Sequence, residues 1–177
     1  MFRTLLALLP LVALLYADVS QCACDPARAE SLEARECGLC REAEKAGEAI
    51  FYLKDINPRK PNRWLALPKV HTAVGHQLDD LPALERTKLW AAAIAKAKEL
   101  WGEEWGLAYN GEKVRTQCHA HIHIGKLLKG VERDNFVVVS GPAQIPVPAG
   151  RGLWVHPEGG KLHVHMEENI TETVLLR

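Results

Sequence analysis

Residues 116–128 run TQCHAHIHIGKLL, with histidine at every second position from His119 through His121 to His123. A strand presents alternate residues on one face, so this spacing predicts three imidazoles side by side, with Ala120, Ile122 and Ile124 turned toward a core. Neutral imidazole is a nucleophile and a switchable proton donor or acceptor near pH 7, and it is also a common metal ligand. A strand-borne trio therefore suits phosphate chemistry or metal ligation.

Cysteine supplies a second reactive set. Cys22, Cys24, Cys37 and Cys40 follow the pattern C-x-C, twelve residues, C-x-x-C, and Cys118 stands apart. In an oxidising compartment those four form a pair of disulfides, in one of three connectivities that spacing does not separate, leaving Cys118 odd and buried. The alternative is zinc, with Cys37, Cys40, His71 and His119 as a tetrahedral set of two sulfurs and two nitrogens. The amino terminus favours the first. Arg3 precedes an apolar run over residues 5–17 (LLALLPLVALLYA), and Asp18 is the first acidic residue. That is the layout of a signal peptide over residues 1–17, which implies a secreted or periplasmic protein, or a membrane-anchored one if the run stays uncleaved. The run falls short of the roughly 20 residues of a comfortable membrane span, and Pro10 interrupts it.

These groups need a scaffold. The chain has 177 residues, 47% of them hydrophobic, which is enough for one globular domain with its own core. Its 22 basic and 22 acidic side chains cancel, so it offers no sequence-independent pull on a polyphosphate backbone and is not expected to bind nucleic acid broadly. Residues 27–49 are rich in Ala, Glu, Arg and Leu and predict a helix. Residues 50–56 and 64–70, joined by NPRKPNR, predict a hairpin. Near-helical spacing of Leu84, Lys88, Trp90, Ile94, Ala97 and Trp101 predicts a long helix over residues 81–105, with Trp90, Trp101 and Trp105 packed in the core. Further strands are expected over 107–110, 119–124, 136–140, 153–156 and 161–166, the last two joined by PEGG. This order specifies an α+β fold: an antiparallel β-sheet packed by a long helix, with an amino-terminal helix and a carboxyl-terminal β-hairpin extension.

Several other features have plain readings. His163 and His165 form a second alternating pair with His156 nearby, and without a third fixed ligand they read as a polar strand face rather than a metal site. Arg59, Lys60 and Arg63 fit a solvated hairpin turn, although they could meet phosphates. His76 belongs to a loop, and Asn169-Ile-Thr171 meets the glycosylation pattern.

HAHIHIG, residues 119–125, resembles the His-x-His-x-His signature of the histidine triad (HIT) nucleotide hydrolases and transferases. FYLKDINPRKPNRWLALPKVH, residues 51–71, is similar to that family's strand, D-I-x-P turn, strand and P-K-x-H segment, and YNG, residues 109–111, to its Asn-containing strand end. The likeness covers residues 46–130, read as a catalytic domain between a Cys-containing segment (18–45) and a carboxyl-terminal extension (131–177). It implies that His121 attacks the α-phosphorus of a nucleotide derivative to form a covalent nucleotidyl-histidine, later released by water. It further implies that His123 hydrogen-bonds a phosphate oxygen and that His119 ties the site to His71. Asn110 would brace it, and Thr116 or Gln117 would assist the phosphate or leaving group. No cofactor is required by that chemistry, though a structural zinc is compatible with it. The family also implies a homodimer formed through the long helix. The stretch GEKVRTQC, residues 111–118, departs from the family's G-x-x-A-G-Q run but adds Lys113 and Arg115. TQCHAHIHI is in addition similar to the S-Q-x-Q-L-H-I-H-I stretch of CDP-diacylglycerol pyrophosphatases, which implies a CDP-alcohol as a variant substrate. Two classes of function stand against each other: an exported phosphohydrolase or nucleotidyl transferase, and a zinc-binding module. A nucleotide binder without turnover is a third.

Overall fold

A computed structural model describes residue 19 and residues 22–71, 77–167 and 170–177. The signal-peptide reading of residues 1–17 lies outside the described residues, as do His76 and Asn169.

The fold is α+β. Seven antiparallel strands form one sheet: β1 (Ile50–Lys54), β2 (Trp64–Pro68), β3 (Trp105–Tyr109), β4 (Ile122–Lys126), β5 (Val137–Val139), β6 (Gly152–Glu158) and β7 (Lys161–Glu167). Their order across the sheet is β1-β2-β4-β3-β6-β7-β5. Residues 131–177 thus continue the sheet, because β6 pairs with β3 near its middle. The hairpin between β6 and β7 closes at Gly159-Gly160, whose φ values of 55° and 75° are the left-handed conformation that a tight two-residue turn demands.

Residue alternation divides the sheet into two faces. One face carries Ala66, Ile122, Ile124, Leu107, Tyr109, Leu153, Val155 and Val164. It is covered by helix α2 (Ala83–Trp101), which buries Leu89, Trp90, Ala93 and Ala97, residues at helical spacing along one side. Pro82 precedes the first turn, where a missing N–H costs nothing, and Gly102 at φ 57° ends the helix. Trp90 and Trp105 are fully buried, with Trp101 packed beside them. Each such side chain contributes roughly 1.5–3 kcal/mol through lost contact with water. The opposite face carries His123, Ala108, Trp154 and His165 in one cross-strand row. The carboxyl-terminal segment lies on it, with Val174 and Leu175 packed against Ala108 and Trp154. A side chain on Gly106 would come within 2.6 Å of Leu175, so the absence of one lets this segment approach.

Two expectations that involve the amino-terminal region are corrected. A single helix over 27–49 gives way to two 3₁₀ turns (Ala29–Glu33 and Arg35–Cys37) and a short helix α1 (Gly38–Lys45). The interruption is at Ala34, whose ψ of 142° is extended backbone, and disulfide Cys24–Cys37 ties the turns back on themselves. Cys118 is not the odd cysteine. It bonds Cys22 across 96 residues, and Cys40 is left as the buried free thiol. Spacing along the chain cannot anticipate this pairing, because it joins segments 96 residues apart, which also meet through Cys118 N–H and Glu36 O at 2.8 Å. Among the described residues, no helix is long and apolar enough to cross a membrane.

Candidate functional site

The histidine trio is split. Strand β4 begins at Ile122, so His119 and His121 precede it on irregular backbone instead of standing on an extended strand from 119. The bridge to Cys22 and the Cys118–Glu36 hydrogen bond draw this segment toward the amino-terminal turns. His121 and His123 therefore line a cleft of about 940 Å³ together with Asn110, Thr116, Gln117 and Arg115. His119 and His71 pack against each other outside that lining, with ring centroids 4.6 Å apart.

Hydrogen-bond partners decide which ring nitrogens carry protons. His121 Nδ1 lies 2.8 Å from the carbonyl oxygen of His119, which can only accept, so Nδ1 holds the proton and Nε2 keeps its lone pair. That is the arrangement a nucleophilic imidazole needs. The Asn110 Oδ1 atom accepts from Glu172 N at 3.2 Å, with the Thr171 hydroxyl, which donates chiefly to Tyr109 O at 2.8 Å, also 3.3 Å away; this turns its Nδ2 toward His123 Nε2 at 3.3 Å. His123 Nε2 is then the acceptor, and its Nδ1 faces Glu172 Oε2 at 3.3 Å, close but poorly aligned for a hydrogen bond. The two rings meet edge to face at 4.9 Å. His119 Nε2 donates to Pro68 O at 2.6 Å, and His71 Nε2 to Cys40 O at 3.3 Å.

Glu172 is the residue that sequence reading passed over. It follows the last strand, and no motif marks it. Arg63, expected on a solvated turn, is 1% exposed and binds the tail through Glu172 Oε2, Glu172 O, Leu175 O and Leu176 O. Lys60 reaches the same carboxylate at 2.7 Å. Gln117 also serves a scaffold role: its Oε1 accepts from Leu39 N and its Nε2 donates to Arg35 O, closing the cleft wall made by α1. Thr116 is exposed at the rim. Arg115, noted in sequence only as added positive charge, is 1% exposed. It donates through Nη1 to Tyr109 Oη at 2.8 Å, while its Nε and Nη2 have no protein partner. A buried guanidinium with two idle donors is costly unless an anion meets it. The cleft lining holds five basic side chains (Arg35, Arg41, Lys54, Lys60, Arg115) against three acidic ones, and so favours an anionic ligand.

Burial pushes His121 down to about 3, helped by His123 and Arg115. Burial also takes His123 to about 4, against the pull of Glu172. For Glu172, burial alone would raise the carboxyl, but His123, Lys60 and Arg63 outweigh it and hold it at about 2. Both imidazoles are thus neutral at pH 7. Because their folded values lie below the ordinary 6.5, they favour the fold fully above pH 6.5 and less as the pH falls toward 4 and 3. Glu172 acts in the same direction over the lower window, from 4.5 down to 2. Unfolding stability is expected to be level from pH 8 to 7 and to fall by several kcal/mol, up to about 8, between pH 6.5 and 3. Denaturant titration across that range checks it; a flat profile would contradict these values.

The zinc set of Cys37, Cys40, His71 and His119 is corrected in one member, since Cys37 is bonded to Cys24. The other three still converge, with ligand atoms within 4.8 Å of one another. Burial lifts the Cys40 thiol to about 11, so it is protonated at pH 7 unless a cation is bound.

Comparison of the whole chain with family models and with curated proteins gives no match.

Proposed function

We propose that this protein is a histidine-dependent phosphohydrolase or nucleotidyl transferase that cleaves a phosphoanhydride or phosphoramidate bond of a nucleotide derivative. The observation that carries the reading is the pairing in one cleft of His121, its Nε2 lone pair left available, with the idle donors of buried Arg115. In the first step Nε2 forms a bond to phosphorus while the bond to the leaving group breaks, and the electron pair departs with that group. Arg115 meets the charge that develops on the phosphoryl oxygens. Water then attacks the same phosphorus, and the pair of the P–N bond returns to His121. His123, Asn110 and Glu172 orient the neighbouring wall. Splitting one displacement into two lets a group that is neutral at pH 7 act as nucleophile. The likeness to the HIT signature supports a nucleoside phosphate as the anion. Two disulfides support the export suggested by the apolar leader.

The test is turnover of adenosine phosphoramidate, dinucleoside polyphosphates and CDP-alcohols by the wild type and by His121→Ala. At least a thousandfold loss of kcat, on the order seen when a nucleophile is removed, is expected. Acid-quenched wild type should carry one nucleotidyl group on His121, found by peptide mass. Equal rates in the two proteins would overturn the assignment.

A second reading is favoured by one observation. The carbonyl contacts of His71 and His119 leave the lone pair of each ring on Nδ1, and both rings converge on Cys40. Those three residues suit a structural zinc that fixes α1 against the end of β2, with the cleft free for chemistry.

A further inference from the structure

We propose that His156, His163 and Glu132 bind one divalent transition-metal ion, zinc in the simplest case, at a site separate from the cleft. The sequence reading of these histidines as a polar strand face does not hold, since His156 and His165 are almost fully buried. His156 on β6 and His163 on β7 are direct cross-strand partners. Both stand on the face away from α2, because Val155 and Val164 take the other. Their ring centroids are 5.3 Å apart.

Three donor atoms converge. His156 Nδ1 donates to Pro157 O at 3.2 Å, which leaves the lone pair on Nε2. That Nε2 lies 3.5 Å from Glu132 Oε1, and the same oxygen lies 2.6 Å from His163 Nδ1. All three ligand atoms fall within 4.8 Å of one another. An ion with tetrahedral bonds of about 2.0–2.2 Å holds its ligand atoms about 3.3–3.6 Å apart, so shifts of around an ångström would complete the set. The rings are already held in place: Phe136 stacks on His163 at 4.1 Å, and Trp154 stacks on His165 at 3.6 Å. His165 Nε2 is 3.3 Å from His156 Nε2 and, with the His156 proton on Nδ1, donates to the lone pair that an ion would take. Glu132 is the exposed member and stands at the mouth, where an ion would enter. Two imidazoles and a carboxylate are a nitrogen and oxygen set suited to zinc and its first-row neighbours rather than to calcium or magnesium. Glu132 belongs to the stretch between β4 and β5, so the bound ion would pin this stretch to the β6–β7 hairpin.

The test is equilibrium dialysis against Zn²⁺ and optical titration with Co²⁺ on the disulfide-bonded protein. Wild type should take up cobalt at a site with d–d bands and no sulfur charge transfer, which separates it from any ion held through Cys40. The double variant Glu132→Gln, His163→Asn should bind at least a hundredfold more weakly at that site, with the sulfur-free spectrum lost. Both residues lie toward the surface, and an unchanged circular dichroism spectrum would confirm that the variant folds. Where it does not, Glu132→Gln alone should still weaken binding at least tenfold. Sulfur-free cobalt uptake that is absent in wild type, or equal in wild type and variant, would overturn the proposal.

Discussion

A chain with serine at both Cys22 and Cys118 is expected to lose about 4–5 kcal/mol of folding stability, the stabilisation associated with closing a loop of nearly a hundred residues. The corresponding change at Cys24 and Cys37, which closes only 13 residues, should cost about 3 kcal/mol. Denaturant unfolding of the two variants gives both numbers. Their ranking is the informative result, because it depends on how far apart the joined residues are in the chain. Equal midpoints for wild type and Cys22→Ser/Cys118→Ser would contradict the bridge. The same variant should also lose more turnover than its partner. Cys118 adjoins His119, whose carbonyl fixes the proton on His121 Nδ1. Releasing Cys118 therefore releases the backbone that sets the tautomer of His121, the proposed nucleophile.

Glu172→Ala carries the second large effect. Arg63 is buried, and Glu172 supplies the carboxylate that compensates it. Removing one partner of such a pair costs about 3–5 kcal/mol, because the surviving charge stays buried without compensation. Arg63 retains the backbone carbonyls of residues 172, 175 and 176, which places the expected value near the lower bound. The measurement is the shift in thermal or denaturant midpoint, accompanied by limited proteolysis of residues 170–177, which should be cut faster in the variant. A change below about 1 kcal/mol would show that the carboxylate is solvated in place of being paired.

Much of the sheet could be read from local pattern. Strand-like runs on either side of turn-forming residues gave both hairpins, and the near-helical spacing of Leu84, Lys88, Trp90, Ile94, Ala97 and Trp101 gave α2. The failures share a cause: each feature depends on contacts between residues far apart in the chain. Nothing near Glu172 says that it meets Arg63, 109 residues away. Nothing near Cys118 says that it meets Cys22 in place of leaving that thiol to its neighbours. The H-x-H-x-H pattern implied one uniform face, whereas only His121 and His123 share the cleft. His119 packs on His71 instead, the neighbour that the resemblance implied for it. The second histidine group was visible as residue types, and its carboxylate was not, since Glu132 lies on irregular chain where periodicity carries no signal.

The tail laid across the sheet also has a bearing on timing. Translation proceeds from the amino terminus, so a nascent polypeptide possesses His121, His123 and Arg115 well before it possesses Glu172. Until the ribosome has delivered residue 172, Asn110 lacks the backbone donor that turns its amide toward His123. The last wall of the cleft is therefore synthesised after the histidines it stands beside.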